Sequence, residues 1–174
     1  LTREEAAVFV HRTLVSDARV EVEQNKLLVT PGESNSVVTI MHNNDIHSNL
    51  DNLPKTVTAI NEYRKLNPNA LLLHAGDALT GTLYFNTFEG KADLALMELM
   101  GYDAMTFGNH EFDLGASEEG HQALVDFIKG ANFPFVSSNV DVSAEAKFTG
   151  LFSDLMASEP ENGKIYNGIV KEIN

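Results

Sequence analysis

The sequence predicts an α/β fold with a mostly parallel sheet and crossover helices. Three observations predict it. Short apolar runs of strand length alternate with helical stretches between residues 37 and 138. The runs VVTIMHN and ALLLHA are apolar and bounded by polar residues, the pattern of buried strands. Each successive pair of runs is separated by enough chain for a helix, and such crossovers between parallel strands are right-handed.

In chain order, residues 2–15 read as an amphipathic helix. Thr2 and Glu5 form a capping box, and Val8, Phe9, Val10 and Leu14 supply an apolar face. Residues 18–30 alternate loosely through Val20, Val22 and Leu28, which predicts a hairpin around Gln24, Asn25 and Lys26. Pro31 to Ser36 (PGESNS) is the candidate linker. The predicted organisation is therefore an N-terminal segment over 1–30, a linker over 31–36, and a main domain over 37–174.

Within that domain Val37–Asn43 reads as the first strand. Pro54–Leu66 reads as a helix, with Pro54 in its first turn and Val57, Ile60 and Leu66 on one stripe. Ala70–Ala75 is a second strand. Lys91–Met100 is a helix closed by Gly101. Ala104–Phe107 is a strand, Glu118–Lys129 a helix and Phe135–Ser138 a strand. Beyond Asp141 the pattern weakens. Ser153–Gly163 reads as a loop and Ile165–Ile173 as an exposed strand.

Composition excludes several classes. The 174 residues carry 12 basic and 25 acidic side chains, a net charge of −13, which argues against coating nucleic acid or an anionic membrane. A phosphate substrate stays open, because a bound metal reverses the local field. There is no cysteine, so any metal must be held by His, Asp, Glu, Asn or Gln. No apolar run approaches the ~20 residues of a membrane helix. The chain opens on Leu1 without a basic-then-apolar signal segment, so it reads as a processed piece.

The chemistry is expected at strand ends. Asp45, Asp77 and Asn109 each follow a predicted strand and lie 32 residues apart. Equal spacing places them at equivalent positions in successive strand–helix units, in the crevice beyond the carboxyl ends of a parallel sheet. Asp45 is followed by His47, and Gly76 precedes Asp77. Gly108-Asn109-His110-Glu111-Phe112-Asp113 packs an amide, an imidazole and a carboxylate into one turn. Mixed nitrogen and oxygen donors suit zinc, manganese or iron. Two metals roughly 3.5–4 Å apart need a shared ligand, and Asp77 in the middle unit is the natural bridge.

The stretches VTIMHNNDIHSN, LLLHAGDALTGT, MTFGNHEFDLG and FPFVSSNV resemble the calcineurin-like metallophosphoesterase superfamily, and within it the 5′-nucleotidase and 2′,3′-cyclic-nucleotide phosphodiesterase family. The resemblance implies the N-terminal half of an αββα sandwich and a hydrolase with two divalent metal ions. It implies that Asp45, His47 and Asp77 hold one metal, and Asp77 and Asn109 the other. It makes His110 the catalytic histidine, oriented by Asp113, with Asn109 and His110 against the substrate phosphate. Ser48 stands where the family often has glycine. Family members take further ligands from downstream histidines, whereas the last histidine here is His121. The chain is thus expected to stop partway through its catalytic domain. Alone it should bind metal weakly and turn over little or nothing. A second copy or a complementing C-terminal part is then a candidate partner.

LTREEAAVFVHRTL is similar to the end of an S-layer homology repeat, which implies a bacterial, extracellular or wall-associated protein with a cell-wall polymer as partner. The expected activity is hydrolysis of a nucleotide phosphoester. The alternatives are a 2′,3′-cyclic-nucleotide phosphodiesterase, another hydrolase of the superfamily, or a non-catalytic wall-associated binding protein. Blander roles are expected elsewhere: His42 and His74 as core residues, His11 and His121 facing solvent, Phe85 and Phe88 as packing, Glu111 as a supporting residue, and 141–161 as solvated surface.

Overall fold

A computed structural model of the chain describes residues 19–23, 26–30 and 38–173. The expected N-terminal helix and the PGESNS linker lie outside the described residues. The chain divides into two units, residues 1–39 and 40–174. In the first, β1 (Arg19–Glu23) and β2 (Lys26–Thr30) pair antiparallel, with Arg19 opposite Thr30 and Glu23 opposite Lys26.

The second unit is built on a six-stranded sheet, all parallel, in the order β3-β4-β5-β6-β8-β7. The first four strands, β3 (Ile40–Asn43), β4 (Leu71–His74), β5 (Ala104–Met105) and β6 (Phe135–Val136), follow chain order. Helical crossovers join them, as a parallel pair requires. The first crossover carries α1 (Leu53–Leu66), with Pro54 at its start. The second carries α2 (Leu83–Phe88) and α3 (Lys91–Met100), and the third carries α4 (Gln122–Gly130). Gly101 closes α3 in the left-handed conformation at φ 67°, as its place after the last apolar residue predicts. α3 packs against α1, α2 and α4.

Several departures from the sequence reading have physical causes. The expected loop over 153–163 contains a strand, β7 (Phe152–Ala157). The expected exposed strand is β8 (Ile165–Ile169), which lies between β6 and β7 with Ile165, Tyr166 and Gly168 buried. Its inner position needs a neighbour on each side, and β7 supplies the second. The expected helix over 118–129 begins only at Gln122, because Gly120 turns left-handed at φ 56°. His42 is exposed rather than packed, since β3 is an edge strand.

The core is aromatic at its centre. Phe133 and Phe135 are completely buried, and Phe107 stacks on Phe135 with ring centroids 5.3 Å apart. Met97, Met100, Met105 and Ile128 close the space between helices and sheet. This packing fixes the strands whose carboxyl ends carry the polar loops.

Candidate metal centre

Three loops leave the carboxyl ends of β3, β4 and β5 and meet. The first two are laced together by backbone hydrogen bonds. Asp45, His47 and Ser48 donate their N–H groups to the carbonyls of Gly76, Asp77 and Ala78 at 3.0, 3.1 and 2.9 Å. The turn that permits this is strained. Asp45, His47 and Ser48 have φ of 55°, 48° and 49°, and Asp77 has φ 57°. Left-handed backbone at non-glycine residues costs of order 1 kcal/mol each and gathers at functional sites.

The second and third loops approach so closely that only glycine fits. A Cβ on Gly76 would lie 2.2 Å from the Gly108 nitrogen, and one on Gly108 would lie 2.0 Å from Asp77 Oδ1. Asp77 is buried, and its Oδ1 accepts the His110 N–H at 2.9 Å. Glu111 supports the whole junction. Its carboxylate, 3 % exposed, accepts the N–H groups of Asp77 (2.9 Å), Ala78 (2.7 Å), Leu79 (3.3 Å) and Gly108 (2.6 Å). One anion therefore ties two loops that each carry a site residue.

The result brings the side chains of His47, Asp77 and His110 together, one donor atom from each lying within 4.8 Å of the others. Two imidazole nitrogens and a carboxylate oxygen are a donor set for zinc, manganese or iron. The three groups could hold a metal ion. Asp45 borders the cluster, its Oδ1 3.5 Å from His47 Nε2, and its Oδ2 accepts the Asn44 amide. Asn109 sits exposed at the start of the 3-10 turn His110–Ala116.

His110 and His47 meet edge to face with ring centroids 4.8 Å apart. His110 Nδ1 pairs with Asp113 Oδ2 at 2.7 Å, which leaves Nε2 to face a ligand. The hydrogen bond to Asp113 raises the His110 pKa above the ordinary histidine value, and the same bond holds Asp113 below the usual carboxylate range. Thr80 Oγ1 also reaches Asp113 Oδ2, at 3.3 Å.

Sequence reasoning passed over several supporting groups. Thr80, Gly81 and Thr82 lie in the stretch LTGT after the Gly-Asp pair. The Gly81 backbone runs against His47, where a Cβ would be 2.9 Å from the His47 carbonyl, and Thr82 Oγ1 donates to the Ser48 carbonyl at 2.7 Å. His121, expected in solvent, is half-buried. It pairs with Glu145 and touches the rings of Phe112 and Phe148. Phe85 is buried as expected, but Phe88 is 47 % exposed. Glu111 had only its position in the motif to mark it.

A parallel sheet with a His/Asp/His cluster beyond its carboxyl ends defines an α/β protein with a group that could hold a metal. The chain belongs to the calcineurin-like phosphoesterase family, whose profile matches residues 38–166. It is 48% identical over 120 residues to the trifunctional nucleotide phosphoesterase protein YfkN of Bacillus subtilis, a match covering 63% of this chain and 8% of that protein. It is 34% identical over 136 residues to the 5′-nucleotidase of Bos taurus, covering 67% and 23%. Among solved structures it resembles a 5′-nucleotidase precursor from Thermus thermophilus, with TM-score 0.59, 34% identity, and coverage of 74% of this chain and 28% of that one. The chain thus spans less than a third of the length of these relatives. The sheet is that of the N-terminal part of the family domain.

Proposed function

We propose that this chain carries the metal-binding half of a nucleotide phosphoester hydrolase of the 5′-nucleotidase type. The observation that carries the reading is the convergence of His47, Asp77 and His110 beyond three parallel strands. The names of the relatives, nucleotide phosphoesterase and 5′-nucleotidase, support the substrate class.

In this reading Asp45, His47 and Asp77 hold one divalent ion, and Asp77 and Asn109 hold a second. Bound cations polarise phosphoryl oxygens and acidify water, which is the chemistry that phosphoester hydrolysis needs. The protein residues position and move protons. Asp113 holds Nδ1 of His110, so Nε2 points outward, where it donates a hydrogen bond to a phosphoryl oxygen or a proton to the leaving oxygen. Asn109 orients the phosphate beside it. Glu111 keeps Asp77 and Gly108 in register, so the donor atoms are preorganised before substrate arrives.

The grouping of His110 with His47 and Asp77 favours a second reading, in which His110 is itself a ligand of a single ion. Stoichiometry separates the two. The protein as its gene encodes it should bind two cations by calorimetry and keep both in His110→Ala. A single cation, lost in that variant, would establish the second reading.

The test of function is hydrolysis of a nucleoside 5′-monophosphate by that same protein. Asp77→Asn should lower turnover by at least about a hundredfold. Unchanged turnover would sink the reading, and a preference for a 2′,3′-cyclic nucleotide would shift it to the phosphodiesterase alternative. The 174-residue chain alone should bind cations weakly, because three ligands on one ion and two on the other leave both incomplete. The proposed bacterial, extracellular or wall-associated location, with its polymer partner, rests on residues 1–14.

A further inference from the structure

The 3-10 turn His110–Ala116 carries both His110 and Asp113, and Glu111 is its one buried residue. Hydrogen bonds in a 3-10 turn are poorly aligned, so such a turn keeps its place by packing. Glu111 secures its start, through the amides of Asp77 and Gly108. The stretch from Phe112 to Gly115 needs an anchor of its own.

His121, the residue before α4, is placed to be that anchor. Its ring meets Phe112 edge to face, with centroids 5.6 Å apart. The opposite side of the turn is as close. A Cβ on Gly115 would lie 2.5 Å from His121 Nε2. Gly115 is not among the left-handed glycines, so space rather than φ requires glycine there. The ring itself is held from behind. Nδ1 pairs with Glu145 Oε2, and the buried Phe148 ring lies 5.8 Å away. Glu145 sits in an ordered turn, its N–H donating to the Val142 carbonyl at 3.2 Å and its carbonyl accepting the Phe148 N–H at 3.1 Å. Swinging the imidazole aside would give up the Glu145 pairing and both ring contacts. On its other flank Phe112 packs edge to face on Phe107, which stacks on Phe135 in the core. Phe112 is therefore gripped between the core and His121.

We propose that His121 is a positioning residue for the phosphoryl site: backed by Glu145 and Phe148, its ring clamps Phe112 and Gly115 and so fixes the turn from which His110 and Asp113 reach their ligand. It acts through those two contacts. The catalytic consequence rests on the role given to His110 under the proposed function, whereas the hold on the turn does not.

The test uses the protein as its gene encodes it and has two readouts. In metal-free protein, amide hydrogen exchange at Phe112 and Ser117, whose N–H groups bond to the carbonyls of Asn109 and Leu114, reports the turn. His121→Ala and Glu145→Leu should each speed exchange there about tenfold, with the core amide of Phe135 unchanged. Glu145→Gln, which keeps an acceptor for Nδ1, should stay within about twofold of the unaltered protein. Gly115→Ala drives a methyl into the ring and should also speed exchange about tenfold. In the double variant His121→Ala/Gly115→Ala the methyl enters vacated space, so exchange should be no faster than in His121→Ala alone. In the loaded protein, kcat for a nucleoside 5′-monophosphate should fall about tenfold in His121→Ala, with KM within about twofold, and recover in Glu145→Gln. Unaltered exchange at Phe112 in His121→Ala, or losses that add in the double variant, would overturn the clamp. Faster exchange with unchanged kcat would overturn its positioning role. Should His121→Ala fail to fold, Glu145→Leu and Gly115→Ala decide the matter by the same readouts. Absence of hydrolysis by the unaltered protein would count against the nucleotidase reading, and exchange would still judge the clamp.

Discussion

Glu111 is buried and accepts four backbone N–H groups, which makes it the most heavily used side chain at the centre. Glutamine in its place would turn a donor toward amides that themselves donate. Glu111→Gln should therefore cost about 2–4 kcal/mol in urea unfolding without metal, since removing charge from a fully engaged buried acceptor leaves its partners unsatisfied. His74 makes a second prediction. Burial pushes its pKa down to about 4, against the pull of Asp45 and Asp77. Its Nδ1 accepts the Gly76 N–H at 3.1 Å, so the neutral ring carries its proton on Nε2. The unfolded chain binds that second proton near pH 6.5 and the folded one only near pH 4. Stability is thus lost as pH falls through that window, by about 2–3 kcal/mol from this residue. Urea midpoints at about pH 7 and about pH 4.5 in chelator should show that loss, and His74→Leu should lack that part of it. The three strand-end loops that meet were legible, because Asp45, Asp77 and Asn109 follow apolar runs at equal intervals. The left-handed turns at Asp45, His47 and Ser48 were not, since no glycine marks them. Nor was the burial of Asp93, which by its charge belongs on a helix surface.

The elements divide along the same line. α1 and α3 were readable from Pro54 and Gly101, whose backbone chemistry sets a helix start and a helix end. α2 was not, because its six residues (LYFNTF) show no apolar stripe and leave Leu83 79 % exposed. β7 and β8 depend on each other and on β6, so local pattern alone could not place them. One inter-element device was also invisible in sequence. Arg64 on α1 donates to the carbonyls of Met100 and Gly101 at the end of α3, both at 2.6 Å, and lies 3.7 Å from Asp103. Asp103 in turn accepts the Leu72 N–H at 2.8 Å on β4. A guanidinium at a helix C-terminus satisfies orphan carbonyls and complements the helix dipole. Arg64→Met keeps the stem but loses both bonds, and thermal unfolding should show a loss of about 1.5–3 kcal/mol. Arg64→Lys should recover only part of it, because an ammonium does not span two carbonyls as the planar fork does.

At the scale of the whole molecule, the net charge of −13 sets two responses to ions that differ in kind. Monovalent salt screens repulsion among the acidic side chains, an effect that needs no site and should survive any single substitution. A divalent cation held at the centre stabilises by mass action instead. At a free concentration about tenfold above its Kd it should add about 1.4 kcal/mol. For a domain of this size that is roughly 3–6 °C in Tm. Melting in sodium chloride should therefore rise alike for the unaltered chain and for Asp77→Asn. Melting in manganese, with ionic strength held constant, should rise further only in the unaltered chain. Equal responses of the two proteins to manganese would mean that the cation acts through bulk screening alone. The converged His47, Asp77 and His110 would then be an electrostatic cluster rather than a binding centre. A difference confined to manganese would locate the stabilisation at Asp77, the buried carboxylate on which all three loops close.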